Sequence, residues 1–522
     1  NKIWEVIYSH VNLQGGFIWD WVDQGFLEIG KGGRKYWTFG GDYGYKCPSS
    51  GNHCINGCVS PDRTPHPAMA EIKYSQQNVG FEVVDLTKGI FKVTNRFYFT
   101  DLRYYDFICL VKMNEKVIKE INLTKQLCRL KPQCSTEIDL HSEIEQLKQL
   151  VNTEYFFNFR VMKNNDNQPF IPKGFIVAHS QFKLPIDPLP KPVHEETGPS
   201  LSVVENSEEN VVISSEKVEF IFSKKEKIVK SFKVDRFKYI KDGFGFQPNF
   251  WRGPTDNDYG NGAPLRENIW KRLSKKFVIN LCETTMKENC VVLVVSYQLN
   301  ERDETEIGKF EINYRILPSG IVNIQAFYDA SSDIDEDCFI PRIALRFRIP
   351  QEMHKVFYFG RGPEENYCDR CSGTEIDLYK TTAEDLYFPY VRPQENGHHI
   401  DTRWLALVND DNKGLLISAA SLFEFNALRN PVEDFDDENQ KDLEYQYHYF
   451  GFSEFGENRL KRQHHIDDIV PHDYVEVNLD LKQEGVAGFN SWGDRPLPEC
   501  SISAAENYSY EFTIIPINNE NE

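Results

Sequence analysis

A period of two governs most of this chain. From about Ser75 onward, apolar and polar residues alternate in one stretch after another, the pattern of strands with one buried and one wet face. "FKVTNRFYFTDL" sets Phe91, Val93, Phe97 and Phe99 on one side, and "EYFFNFRVM" and "FIVAHSQF" behave in the same way. Residues 75–186 therefore predict an antiparallel sandwich. The stretch "KLPIDPLPKPVHEETGPS" holds five prolines and no pattern, which predicts a stiff linker over 187–200. Beyond it, residues 201–522 are almost wholly strand-like. "EYQYHYF" alternates Tyr445, Tyr447 and Tyr449 with polar residues, and "VEVNLDL" alternates Val475, Val477, Leu479 and Leu481 with acidic and polar ones. This predicts a large all-β domain of two stacked antiparallel sheets. No period of 20–50 residues points to a propeller or solenoid.

Only the opening departs from that period. Trp4, Ile7, Tyr8 and Val11 share one face of a short helix. "GGFIWDWV" then runs apolar without alternation, as a strand buried on both faces does. A helix feeding such a strand is an α/β signature, and it is confined to residues 1–74. A chain of 522 residues exceeds one hydrophobic core, so several domains are expected.

Charge and composition remove whole classes of function. A net charge of −20 is the wrong sign for a nucleic-acid binder, which needs clustered Lys and Arg. No apolar run approaches the ~20 residues of a membrane span. "NKIWEVIYSH" has neither the basic nor the apolar region of a signal peptide. Asn1, which is not a Met, reads as an internal cut, and a secretory leader on a longer parent stays open.

Among the twelve cysteines, Cys368 and Cys371 form a lone CxxC and read as incidental thiols. Cys47, Cys54 and Cys58 cluster in one loop, which suggests a reducing, cytoplasmic compartment. The pairs His398-His399 and His464-His465 are adjacent residues on strands. Their side chains face opposite ways and do not chelate one ion without a bend. No GxSxG, HExxH or phosphate-cradling loop occurs.

Five loops combine Gly, Pro, aromatics and carboxylates: "YGYKCPSSGNHCINGCVSPDRTPHP", "NFWRGPTDNDYGNG", "FGRGPEENYCDR", "YVRPQENGHHIDTRW" and "GFNSWGDRP". Ring faces beside planar amides and carboxylates suit a sugar, with its C–H faces and many hydroxyls. Together with "LQGGFIWDWVDQG", "FGGDYG" and "HCINGCVSPDRTPHPAMAEIK", these motifs resemble, in order and over essentially the whole chain, the C-terminal half of the bacterial-type β-galactosidases of glycoside hydrolase family 2. The resemblance implies the end of a catalytic (β/α)8 barrel over 1–74, an immunoglobulin-like sandwich over 75–186 and a β-supersandwich over 201–522. It implies hydrolysis of terminal β-D-galactose, as in lactose. A non-catalytic sugar-binding or assembly module, or a relative acting on another β-glycoside, are the alternatives.

By the same resemblance Trp19 walls the galactose pocket, while Trp21 points into packing. Asn56 faces the 6-hydroxyl and a sodium ion, to which His53 gives its backbone carbonyl. Gly362 begins a mobile active-site loop, and Trp492 lies beneath the aglycone. Family members commonly read Asp-Gly-Asn-Phe before "CING", where this chain has Ser50-Gly51-Asn52-His53. That departure bears on pocket shape and sugar preference. The nucleophilic and acid/base Glu residues and the magnesium ligands are expected upstream of Asn1, so no catalytic residue is assigned in this chain. The N-terminal half of the same enzyme is then its partner, and a homo-oligomer is expected by analogy. The barrel remnant holds too few strands to close, so Phe17 and Trp19 are expected to be exposed.

Overall fold

A computed structural model describes residues 2–30, 32–43, 51–166, 170–186, 198–300, 306–436, 465–488, 490 and 493–518. The "EYQYHYF" stretch, most of the Pro-rich linker, Cys47, Ser50, His464 and Trp492 lie outside the described residues. The chain is mainly β and divides into two compact units. One comprises Asn1–Gly16, Met69–Glu195 and Ser372–Asp377, and the other Phe17–Ala68, Glu196–Cys371 and Leu378–Glu522. Among the described residues, no helix is long and apolar enough to cross a membrane.

In the first unit, a three-stranded antiparallel sheet (Val79–Asp85, Ile90–Asn95, Ser135–Asp139) and a four-stranded one (Lys116–Asn122, Tyr105–Met113, Tyr155–Lys163, Ile176–Lys183) share one core. This is an immunoglobulin-like pair of sheets. Phe91 and Val93 are fully buried in it, and Phe81 stacks on Phe159 with ring centroids 4.7 Å apart. The expected strand through Phe97 and Phe99 stops at Asn95. The Asn95 side chain accepts a hydrogen bond from the Phe97 N–H and donates to the Thr100 and Leu130 carbonyls. This local turn competes with strand continuation and leaves Phe99 98% exposed. The opening helix spans Lys2–Ser9, with Trp4 and Tyr8 rings 5.7 Å apart; it ends before Val11, which is fully exposed.

Residues 372–377 belong to this unit through Glu375. Its carboxylate accepts from Arg160, His179 and Asn158. Burial opposes its ionisation, but the His179 and Arg160 contacts outweigh that and hold the carboxyl at about 2.

In the second unit, a five-stranded antiparallel sheet over residues 202–238 and a twelve-stranded sheet bury their faces in one continuous core. The strand Glu306–Ile316 shows the rule: Phe310, Ile312, Tyr314 and Ile316 point inward, and Lys309, Glu311, Asn313 and Arg315 alternate with them. Strand Tyr474–Gln483 breaks it. Paired on one edge with Arg342–Pro350 and on the other with Gly414–Leu428, it is buried from Tyr474 to Asp480. Val475, Val477 and Leu479 fill the apolar core. The acidic and polar face is buried as well, because register sets Arg346 opposite Asn478 and Arg348 opposite Glu476. Arg348 Nε donates to Glu476 Oε2 at 2.9 Å, and Arg342 binds both oxygens of Asp480, at 2.5 and 3.2 Å.

The two histidines at 398 and 399 are buried with separate partners. His399 Nδ1 faces the Arg361 carbonyl at 3.1 Å, whereas His398 lies between Asn426 Oδ1 and Glu424 Oε2, each at 2.9 Å. Arg342 also donates to Asn426 Oδ1, so that atom is an acceptor and His398 Nδ1 carries the ring proton. Burial lowers His398 and pushes Glu424 up to about 8. The neutral ring then accepts at Nε2 from a protonated Glu424.

The sign of the resulting pH dependence follows from that pairing. A carboxyl at about 8 when folded and about 4.3 when unfolded stabilises most at low pH and loses that contribution as pH rises through 8. The lowered His398 opposes this only below about 6.5. The urea midpoint should therefore fall between pH 6.5 and 8, by at most about 1.4 kcal/mol per pH unit from this pair. Glu424→Gln should flatten that slope. An unchanged slope in the variant would refute the shared proton.

Candidate functional site

The segment 17–68 begins with the Trp-rich stretch. Residues 17–25 form no regular strand: among the described residues their one ladder contact is a parallel bridge between Val22 and Val59. A fully buried strand needs neighbours on both edges, and here the described residues supply only that one. Phe17 is 105% exposed, Trp19 79% and Trp21 59%. The expectation of a strand buried on both faces is thus corrected, and so is the packing role of Trp21, whereas exposure of Phe17 and Trp19 agrees with an unclosed barrel. The short hairpin Phe26–Ile29 with Lys35–Thr38 likewise leaves Phe26, Leu27 and Ile29 exposed.

What holds the stretch in place is backbone pairing to residues 54–66. Gln24 N–H donates to the Cys54 carbonyl at 2.8 Å, Asp23 N–H to Val59 at 2.9 Å, and Cys58 N–H to Trp21 at 3.0 Å. Asp23, only 2% exposed, is the side-chain centre of this contact. Its Oδ1 accepts from Gly57 N–H at 2.7 Å, and Oδ2 lies 3.1 Å from His66 Nε2. A Cβ on Gly57 would fall 2.1 Å from the Asp23 nitrogen, so the close approach requires glycine. Ring edges of Phe388 and Tyr390 pack on His66, each at 5.5 Å. Sequence reading assigned no role to Asp23, Gly57 or His66, although they lie in "LQGGFIWDWVDQG" and "HCINGCVSPDRTPHPAMAEIK", because spacing alone does not show that the two stretches meet.

Trp19 and Asn56 are brought together through one residue. The peptide bond after Trp19 is cis, and the Asp20 N–H donates to the Asn56 carbonyl at 3.2 Å. Asp20 is acceptor-rich: its oxygens take hydrogen bonds from Gln24 Nε2 (2.9 Å) and the Trp21 N–H (2.5 Å), which lower its pKa. His53 is exposed in the turn Gly51–Ile55, and its Nδ1 lies 3.4 Å from Asn56 Nδ2. Among the described residues, no three His, Cys, Asp or Glu side chains converge to hold a metal.

Gly362 ends the strand Lys355–Gly362, and its carbonyl accepts from the Tyr379 hydroxyl at 2.9 Å. The loop that follows is pinned from inside. Asn366, fully buried, donates to the Arg361 and Glu364 carbonyls and accepts from Ile400 N–H. Glu365 accepts from Arg370, Tyr390 and the Gly397 N–H.

Comparison with known proteins places these segments in a class. Residues 1–81 match the glycosyl hydrolases family 2 TIM barrel domain, and residues 91–185 match β-galactosidase domain 4. The first is a TIM barrel domain, a class whose sites lie at strand C-terminal ends. Residues 214–514 match the β-galactosidase small chain, and the chain belongs to that family. A β-galactosidase of Priestia megaterium is 30% identical over 519 residues, covering 99% of this chain and 46% of the relative. Those of Pseudoalteromonas haloplanktis and Halalkalibacterium halodurans are 26% and 27% identical, each over 98% of this chain and 46% of theirs. The chain thus spans about half the length of the curated relatives it matches.

Removing Asp23 tests how the stretch is held. Asp23→Ala leaves the part-buried Gly57 N–H without its acceptor, at a cost of about 1 kcal/mol. Hydrogen exchange should quicken in peptides spanning 17–25 and 54–66 and stay unchanged in the sandwich strands. Unaltered protection at Gly57–Val59 would show that Asp23 does not hold this contact.

Proposed function

We propose that this chain is the C-terminal portion of a retaining β-galactosidase that hydrolyses terminal β-D-galactosyl residues such as that of lactose. The observation that carries the reading is the end-to-end match to β-galactosidases over 46% of their length. The pairing of Trp19 with Asn56 through Asp20 supports it locally. A retaining glycosidase needs a nucleophilic carboxylate and an acid/base carboxylate about 5 Å apart. In this reading both precede Asn1, as do the magnesium ligands.

The role of this chain is then to bind and orient. Trp19 offers a broad exposed ring to the C–H face of a galactosyl unit. The Asn56 amide nitrogen is turned toward His53, which leaves Oδ1 as an acceptor beside the exposed His53 turn. An amide oxygen and a backbone carbonyl are hard donors, and they fit sodium, which would bind the sugar 6-hydroxyl there. Trp492 would supply the aglycone platform, and the loop begun by Gly362 the cover. The exposed face of Phe17, Trp19, Trp21 and Phe26 fits the N-terminal half of the same enzyme as its partner. We place the protein in the cytoplasm on the Cys47, Cys54 and Cys58 cluster, and assign it a homo-oligomer by analogy.

The chain alone should hydrolyse no nitrophenyl β-galactoside, and activity should appear on adding a fragment with the upstream half. Covalent catalysis has no route without its nucleophile. Turnover from the 522-residue chain by itself would overturn the assignment of both carboxylates upstream. In the complemented enzyme, Asn56→Ala should weaken sugar binding about tenfold and blunt the sodium titration. A sodium response equal to the parent's would remove Asn56 from the site.

A further inference from the structure

The Asn56 turn and the loop begun by Gly362 rest on one shared support. In the Asn56–Gly57 peptide group both polar atoms are taken. The carbonyl accepts from the Asp20 N–H at 3.2 Å, and the N–H donates to Asp23 Oδ1 at 2.7 Å. A peptide group turns only as a unit, so these two bonds fix the plane from which the Asn56 side chain departs. Asp23 can hold that plane only if its own carboxylate is held. Its Oδ2 lies 3.1 Å from His66 Nε2, and Ser60 Oγ lies 3.1 Å from the same nitrogen. A carboxylate only accepts, so Nε2 carries the ring proton.

His66 is fixed in its turn. Its N–H donates to the Cys58 carbonyl at 3.1 Å, which ties it to the turn it serves. The Phe388 and Tyr390 rings stand nearly perpendicular to the imidazole and lie 4.7 Å from each other. Neither ring belongs to the continuous core of the supersandwich. Burial pushes the Tyr390 phenol up, so it stays protonated and donates to Glu365 Oε1. Glu365, 7% exposed, also accepts from the Arg370 guanidinium and the Gly397 N–H. Glu365 and Arg370 both belong to the loop that follows Gly362.

A continuous set of contacts thus runs from Asn56 through Gly57, Asp23, His66 and Tyr390 to Glu365. With Nε2 committed to Asp23 and its faces bounded by two rings, His66 acts through Asp23 and not on a ligand. We propose that His66 is a positioning residue for sugar binding: through Asp23 it aims the Asn56 amide, and through Tyr390 and Glu365 it keeps that amide in register with the Gly362 loop. The proposal rests on the reading of Asn56 as a sugar contact.

The test compares His66→Ala, His66→Gln and Tyr390→Phe in the complemented enzyme, reading the galactose dissociation constant by calorimetry together with KM and kcat. A misaimed contact costs binding to substrate and transition state alike. His66→Ala should therefore weaken galactose and raise KM about tenfold, with kcat little changed. His66→Gln returns an N–H close to the Nε2 position and should recover most of the affinity. Tyr390→Phe keeps the ring on His66, loses the bond to Glu365 and should raise KM less than His66→Ala does. In the 522-residue chain alone, hydrogen exchange should quicken over 54–60 in His66→Ala and over 362–370 in Tyr390→Phe. A merely structural role would lower the folded fraction, so kcat would fall while KM and the galactose constant stayed at the parent's values; that result overturns the proposal. Equal weakening in His66→Ala and His66→Gln would overturn it too, because the donor would not be the agent. Galactose binding without turnover in the parent would remove the proposed hydrolysis alone, whereas turnover with unchanged galactose affinity in His66→Ala would remove the positioning role alone.

Discussion

The supersandwich depends on how its central strand disposes of charge. From Tyr474 to Asp480 the strand has no wet face, yet it carries Glu476, Asn478 and Asp480. Buried carboxylates are tolerated only when paired and hydrogen-bonded. The neighbouring strand supplies Arg342, Arg346 and Arg348 at the required register. A one-residue slip of Tyr474–Gln483 would turn Glu476, Asn478 and Asp480 into the apolar core and Val475, Val477 and Leu479 toward the arginines. The ladder thus pins the register of the sheet, with burial lifting Asp480 to about 6 even beside Arg342. Its polar interior runs on through Asn426 to His398 and Glu424.

Residues 17–68 show the opposite condition. Phe17, Trp19, Trp21, Phe26, Leu27 and Ile29 are exposed, and order comes from backbone pairing and from Asp23. Trp19, Asn56 and the sugar chemistry proposed for them sit on this least self-sufficient part of the chain. Binding residues on loops held by a more rigid framework are the usual arrangement in barrel enzymes.

Much was legible from order and spacing alone. Period-two alternation located the strands Ile90–Asn95, Tyr155–Lys163 and Ile176–Lys183, because side-chain direction in a strand depends only on parity. The isolated α/β opening and the run of Gly, Trp and carboxylate loops identified the family. Alternation located Tyr474–Gln483 too, but it could not say that the polar side is buried. That depends on Arg342–Pro350, more than a hundred residues earlier in the chain, lying alongside.

Local sequence therefore determined which segments are strands, since propensity and parity act over a few residues. It did not determine the end of the strand at Asn95, where one amide side chain redirects the backbone. It misjudged "GGFIWDWV", whose apolar run gave the composition of a buried strand but not the neighbours that would bury it. Tertiary structure alone decided the partners: Asp23 with Gly57 and His66, His398 with Glu424, and Glu476 with Arg348. Each joins residues that only the folded sheet brings within hydrogen-bonding distance, and such pairings leave no periodic trace in the sequence.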